Sequence, residues 1–486
     1  VTGVLDLRPI VPAAIVALTG LLVLLVQAFT PKGKAAPSTA LSLTGLVAAL
    51  ASVWLLANGG GRGAVMASAL TADDFSLFFQ VLILSIAAIA ILLSRSYLEA
   101  NGMERGEYYA LVLFSVVGML GLVSSLELVS LFVALEIMSV ALYALAGMQR
   151  SRVESQESAL KYFVTGAFSS AFFLYGAALL YGVSGSTQLG RIAQQVALVS
   201  PGSSGIALLG TALLLVGFGF KIASVPFHMW APDVYEGAPT PVTAFMAAGV
   251  KAAAFGALLR VFGFALQGLA GHWRPLVAFA AVATMIVGNL FALAQPNLKR
   301  MLAYSSIAHA GYLLTALVAA PGLAGEAMLF YLVVYAAVNL GGFGVIAALS
   351  RDGREPVGID DLAGMAQRRP ALAAALAVFL VSLTGIPVTG GFVGKFYLFN
   401  AAVTAGWVPL AVVGVVMSAV SAYYYLRVVV AMYMRDPVGD DPWAPVAPAS
   451  GFALAFSAGV ALALGLWPAP LLALARIAAQ SLLSPF

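Results

Sequence analysis

The 486-residue sequence contains no cysteine. Disulfides, thiolate chemistry and cysteine-ligated iron–sulfur clusters are therefore excluded for this chain. Its three histidines, His228, His272 and His309, are too scattered to suggest a haem or zinc site. There is no Gly-rich nucleotide loop and no nucleophile elbow. Charge is also scarce: 9% of residues are Asp, Glu, Lys or Arg, against about 25% in a soluble domain. What is abundant is apolar, with 62% hydrophobic residues and a mean hydropathy of +1.00. The chain reads as an all-α polytopic membrane protein, and any electrons it serves travel in other chains. The formal charge of +4 is small and bears on topology rather than on nucleic acid.

Apolar runs of about 20 residues mark spanning helices. Fourteen are predicted, at 9–29, 38–57, 75–94, 107–124, 126–148, 157–183, 205–228, 240–266, 275–295, 298–319, 324–350, 370–399, 405–434 and 450–478. Lys32 and Lys34 follow the first and would anchor its far end, which argues against a cleaved signal. Lys and Arg in alternate connections number fourteen on one side, Lys299 and Arg300 among them, and six on the other, Arg260 among them. The positive-inside rule then puts both termini outside. The connections 58–74, 184–204, 351–369 and 435–449 are too short for a soluble domain. The expectation is one membrane domain, 1–486. It comprises a three-helix segment (1–100), a first repeat (107–266), a second repeat (275–434) and a C-terminal helix (450–478).

Residues 221–251, KIASVPFHMWAPDVYEGAPTPVTAFMAAGVK, place Lys221 and Lys251 inside apolar runs around Pro226, Pro232, Pro239 and Pro241. A lysine at the centre of a spanning helix costs about 2.5–3.5 kcal/mol on insertion scales, and no continuous helix tolerates these prolines. The stretch LTGIPVTGGFVGKF (383–396) repeats the theme, with Pro387, Gly390 and Gly391 ahead of Lys395. Discontinuous helices seven and twelve at matching places predict inverted five-helix repeats, helices four to eight and nine to thirteen, around an ion pathway. Proline kinks with a packing role are the alternative.

Glu136 lies nine residues past Glu127, about 13 Å along a helix. A lone carboxylate at that depth is neutral or paired, and Lys221 is the expected partner. A static structural ion pair is the alternative. Breaking a buried pair involves about 3–5 kcal/mol, close to the roughly 3.5 kcal/mol needed to drive one charge against about 150 mV. His309 lies nine residues past Arg300, with Ser305 and Tyr312 nearby, and reads as a proton relay or a packing histidine. His228, beyond Pro226, is either relay or interfacial residue. Glu157, four residues before Lys161, accounts for that lysine as an interfacial salt bridge. Asp233 and Glu236 are expected in a water-exposed turn. Asp360, Asp361, Asp440 and Asp441 are expected as solvated loop charges, and His272 in a loop.

The strings PFHMWAPDVYEGAPTPVTAF (226–245), NLKRMLAYSSIAHAGY (297–312) and GIPVTGGFVGKF resemble the antiporter-like subunits of respiratory complex I, and the resemblance covers essentially the whole chain. Ending after the fourteenth helix, without a long lateral extension, and carrying Lys395 where one branch typically has glutamate, the chain resembles one branch in particular. The resemblance implies a proton path along the membrane mid-plane in a bacterial inner membrane. Its residues would be Glu136 (helix five), Lys161 (six), Lys221 (seven), Lys251 (eight), His309 (ten) and Lys395 (twelve). It also implies that NADH, FMN, iron–sulfur clusters and quinone belong to partner subunits, with other antiporter-like chains and lipid as neighbours. Two further readings stay open: a subunit of a cation/proton antiporter assembly, and a passive scaffold.

Overall fold

A computed structural model describes residues 6–31, 37–63, 65–66, 68–198, 201–351, 354–437 and 443–482. Lys32, Lys34, Asp440 and Asp441 lie outside the described residues. Among those described, almost everything is helix. In chain order these are α1 (Val11–Phe29), α2 (Ser38–Asn58), α3 (Asp74–Ala100), α4 (Gly106–Ser124), α5 (Leu128–Ala146) and α6 (Val153–Ser184). There follow α7 (Leu189–Val196), α8 (Pro201–Ile222), α9 (Trp230–Gly237), α10 (Thr240–Ala265), α11 (Ala270–Leu293) and α12 (Leu298–Leu317). The last six are α13 (Pro321–Leu349), α14 (Pro370–Thr384), α15 (Gly390–Thr404), α16 (Val408–Met434), α17 (Pro448–Leu466) and α18 (Ala469–Ser481). A two-residue hairpin, Val65–Met66 with Leu70–Thr71, decorates the α2–α3 connection.

Twelve helices among the described residues are long and apolar enough to cross a membrane. Between them stand α12, whose first turn carries Lys299 and Arg300, and the short pair α14–α15. Burial within the chain is uneven. The most apolar stretch of α10 is wholly buried and that of α13 is 94% buried, whereas that of α17 is 28% buried. Helices α10 and α13 thus form the centre, shielded by protein rather than lipid, and a cation on α10 never faces hydrocarbon.

Both expected breaks are present, and they end alike. Helix α8 stops when Ala223 takes a left-handed conformation (φ 57°), with Ser224 N–H donating to the Gly219 carbonyl and Ala223 N–H to that of Phe220. Helix α14 stops at Gly385 (φ 86°), with Ile386 N–H donating to Val381 and Gly385 N–H to Ser382. This paired 6→1 and 5→2 bonding closes helix C-termini by satisfying orphan carbonyls. Glycine occupies the strained position in one case and alanine in the other. Helix α10 also departs from regular α geometry. Wide π-type turns at Met246–Val250 and Val261–Ala265 bracket the segment Lys251–Arg260. Such turns re-aim side chains and recur at functional sites.

The described structure corrects several expectations. The run 450–478 is two helices, because Trp467 and Pro468 interrupt it. The second helix, α18, packs on α13 and α3, with Arg476 paired to Glu326 at 3.0 Å. The connection 184–204 contains α7, whose Leu189, Ile192 and Val196 form a buried stripe at helical spacing. Arg260 is no loop charge. It is buried, and its two Nη atoms donate to both Asp73 oxygens at 2.7 and 2.9 Å. Lys299 is likewise buried and paired with Glu355 at 3.3 Å. Each was counted on a different side of the membrane, so the charge bias survives their removal. His272 sits exposed in the first turn of α11.

Candidate functional site

The charged residues of the centre form a row of clusters. At one end is Glu136, in the middle of α5 and half-buried, accepting a hydrogen bond from Ser170 of α6. It makes no ion pair with Lys221 among the described residues, contrary to the pairing expected from sequence. Lys221 is 2% exposed and donates instead to Ser139 Oγ at 2.8 Å. Ser139 lies one turn beyond Glu136 on α5 and donates its own hydrogen bond to the Leu135 carbonyl. Beyond that single hydroxyl Lys221 meets rings: Tyr143, Tyr162 and Phe220, with centroids 5.4–5.7 Å from Nζ. Cation–π attraction offsets part of the desolvation of a buried ammonium.

Lys251, 1% exposed, follows the first wide turn of α10. It donates to the Ser306 carbonyl, to Ser306 Oγ and to Tyr335 OH at 3.3 Å. Tyr335 OH donates in turn to Ser306 Oγ at 2.8 Å. Three residues along α12 stands His309, 1% exposed, with Nδ1 hydrogen-bonded to Tyr331 OH and Nε2 to Tyr425 OH at 3.1 Å. Tyr425 is hydrogen-bonded to Ser305 as well. The His309 ring lies 5.3 Å from the Tyr312 ring and 5.5 Å from that of Tyr335. Tyr312 links onward through Asn289 to Tyr424, at 3.1 and 3.0 Å.

Lys395 ends the row. Its Nζ lies 4.6 Å from the Tyr312 ring centroid and donates to the Leu383 and Thr384 carbonyls at 2.8 and 2.9 Å and to Ser418 Oγ at 2.7 Å. The two carbonyls are the free acceptors left where α14 breaks, at the negative end of its dipole. The break therefore builds the cation's seat. Lys221, by contrast, precedes its break and is not held by it.

Lys161 and His228 stand apart. Lys161, with 41% of its side chain exposed, bonds Glu157 as expected and also Asp233, both at 2.6 Å. Arg300 bridges Asp233 and Glu236, each at 2.8 Å. Asp233 and Glu236 are thus paired acids on α9 rather than free turn residues. Burial raises the Asp233 carboxyl, but Lys161 and Arg300 outweigh it and hold the group below its ordinary range. His228 lies in the break between α8 and α9, half-buried, and among the described residues its Nδ1 has no hydrogen-bond partner. Burial lowers its affinity for a proton. Asp360 pairs with Arg435 at the surface.

Sequence reasoning missed Ser139, Ser306, Ser418, Tyr331, Tyr335 and Tyr425. A signal was available, since a hydroxyl inside a spanning segment needs a partner. Which of many hydroxyls would meet a lysine, however, is settled only by packing.

Residues 125–421 match the family model for the transmembrane region of NADH:quinone oxidoreductase and Mrp antiporter subunits. The chain belongs to this antiporter-like family, in its subunit N branch. Among curated relatives, NADH-quinone oxidoreductase subunit N of Trichlorobacter lovleyi is 43% identical, over 98% of this chain and 97% of that one. The subunit N of Chloroflexus aggregans is 44% identical, over 96% of each. Among solved structures, a chain of Thermus thermophilus respiratory complex I with bound aureothin is 40% identical, with a TM-score of 0.81 over 96% of this chain and 99% of that one. A chain of the Mrp complex from Dietzia sp. shares the antiporter-like fold at 23% identity, with a TM-score of 0.84 over 99% of this chain and 98% of that one.

Proposed function

We propose that this chain is a proton-translocating membrane subunit of a bacterial NADH–quinone oxidoreductase, in which Glu136, Lys221, Lys251, His309 and Lys395 carry the protons. The subunit N relatives support the assembly. One observation supports the route: buried hydroxyls and rings line the space between Lys251 and Lys395, centred on His309, which hydrogen-bonds Tyr331 and Tyr425 and makes ring contacts towards both lysines. Neutral imidazole bonded at both nitrogens can accept a proton on one side and release one on the other.

In this reading a change of charge arriving from a neighbouring subunit acts on Glu136, which lies on a half-exposed position of α5. Moving that carboxylate alters the field at Lys221, which has little else to hold its charge. Lys221 then exchanges its proton through Lys251 and His309 with Lys395, which connects to the opposite side. Lys161 and His228 flank the route. NADH, FMN, iron–sulfur clusters and quinone are assigned to partner subunits. Both termini are assigned to the periplasmic face, and residues 107–266 and 275–434 to two inverted five-helix repeats.

The test is NADH-driven acidification of inverted membrane vesicles carrying Lys221→Ala, with assembly of the complex checked on native gels. Lost pumping in an assembled complex is the expected result. Unchanged pumping would remove Lys221 from the route. The fold shared with the Mrp chain supports a second reading, a cation/proton antiporter subunit. Purification decides between them, since flavin and iron–sulfur absorbance in the isolated particle favours the oxidoreductase and a colourless one the antiporter.

A further inference from the structure

On the flank remote from α5, helices α2, α3, α13, α17 and α18 enclose an open slot of about 450 Å³. Its walls are apolar, with Trp54, Leu77, Val81, Ala337, Phe456 and Leu474 among them. Along α3 it runs from Asp74 to Ile89, about 22 Å of helix rise. That is more than one leaflet of a hydrocarbon core about 30 Å thick. Polar groups concentrate at one end, where Arg62 Nε and Asp74 Oδ1 form an ion pair at 2.8 Å. Arg62 has 59% of its side chain exposed and Asp74 24%, so both retain donors and acceptors facing outward.

The slot is lined by apolar side chains along its length. It suits an extended hydrocarbon chain. The mouth then selects the head group. A cation and an anion side by side complement a zwitterion, the phosphate bonding the free Nη donors of Arg62 and an ammonium bonding Asp74. A purely anionic head group would meet the Asp74 carboxylate and be repelled.

We propose that this slot is a binding site for a zwitterionic phospholipid of the ethanolamine class, one acyl chain lying between α2, α3 and α13 and the head group on the Arg62–Asp74 pair. The lipid would join α18 to the rest of the bundle on a side that the proton row does not use.

The experiment is lipid mass spectrometry of the intact complex, purified in mild detergent and exchanged against equal phosphatidylethanolamine and phosphatidylglycerol. The wild type should retain phosphatidylethanolamine preferentially. Val81→Trp and Ala337→Phe, which fill the slot from its rim and its wall, should each remove one retained lipid. Arg62→Gln should weaken retention about threefold, the size expected of one exposed ionic contact. Asp74→Asn should shift the preference towards phosphatidylglycerol. A retained-lipid count unchanged by both filling variants overturns the proposal, as does equal retention of both lipids by the wild type. A photo-crosslinker at Val81 that captures a neighbouring subunit instead of lipid also overturns it. NADH oxidation by the same preparations keeps this outcome separate from that of the proton route.

Discussion

The two halves of the row hold their lysines differently. Lys251 and Lys395 are saturated: each ammonium bonds a hydroxyl and at least one backbone carbonyl, and Tyr335 or Tyr312 adds a ring. Lys221 has one hydroxyl and three ring faces. Fixed dipoles stabilise a buried charge whatever happens nearby. A cation that lacks them depends on whichever charge is closest, here Glu136 one turn from Ser139. In the proposed route this contrast would make Lys221 the responsive member and the later lysines the more tightly held ones. A similar contrast holds at the helix ends beneath. Under the second half, Lys299 and Glu355 pair in full burial, and Thr240 Oγ1 at the start of α10 donates to the same carboxylate at 2.8 Å. Under the first half, Lys161, Asp233 and Arg300 pair in partial contact with solvent.

Four experiments would break or sharpen this comparison. Lys221→Ala should abolish most proton pumping, by about tenfold or more, within what one positioned proton carrier contributes. The readout is fluorescence quenching in inverted vesicles. If Lys251→Ala alone did so, the responsive site would lie in the other half.

Glu355→Gln should come next, through stability. It leaves Lys299 buried without its counter-charge, which costs about 3–5 kcal/mol and should appear as a lowered unfolding midpoint of the complex. Burial raises the Glu355 carboxyl, but Lys299 and the Thr240 hydroxyl outweigh it and hold it below its ordinary range. A depressed carboxyl stabilises the fold above its unfolded-state pKa, and that contribution disappears as pH falls through the lower, folded value. The gap in melting temperature between wild type and Glu355→Gln should therefore stay constant from pH 7 to about pH 5 and narrow only below the unfolded glutamate value of about 4.3. A gap that already closes between pH 7 and about pH 5 would count against the assignment.

Ser139→Ala should slow pumping more than Ser306→Ala does. Losing one hydrogen bond to a charged group is worth about 1.5–3 kcal/mol, and among the described residues Lys221 has no second bond to fall back on, whereas Lys251 keeps the Ser306 carbonyl and Tyr335. Equal effects would erase the distinction between responsive and tightly held lysines. The smallest effect is expected from Lys161→Ala on stability, about 0–1 kcal/mol, because its pairs are open to solvent. A loss as large as that of Glu355→Gln would show the lower cluster of the first half to be structural too.

Much of this was legible in the chain. Lys221, Lys251, His309 and Lys395 stand out because ionisable side chains in apolar runs are costly. Pro226 and the Gly385–Gly391 stretch announce the breaks, because missing N–H groups and left-handed turns interrupt helices. Other features were not legible for a common reason. Arg260 and Lys299 look like loop charges because they flank apolar runs, and only three-dimensional packing brings Asp73 and Glu355 to them. Glu136 and Lys221 look like natural partners because they are the nearest unpaired opposite charges, yet Ser170 and Ser139 reach them first. The α17–α18 division was readable from Pro468 and Pro470, but the long apolar run masked it.

Composition and periodicity by themselves determined that the chain is a bundle of membrane helices with five ionisable residues, Glu136, Lys221, Lys251, His309 and Lys395, inside its apolar runs. A 62% hydrophobic sequence cannot fold otherwise in lipid, and charges there must face inward. Only the tertiary structure decided which hydroxyls and carbonyls each charge would meet, and hence how many fixed dipoles surround each lysine. Hydrogen bonds act over about 3 Å, and no pattern in a linear sequence brings residues from separate helices to within that distance.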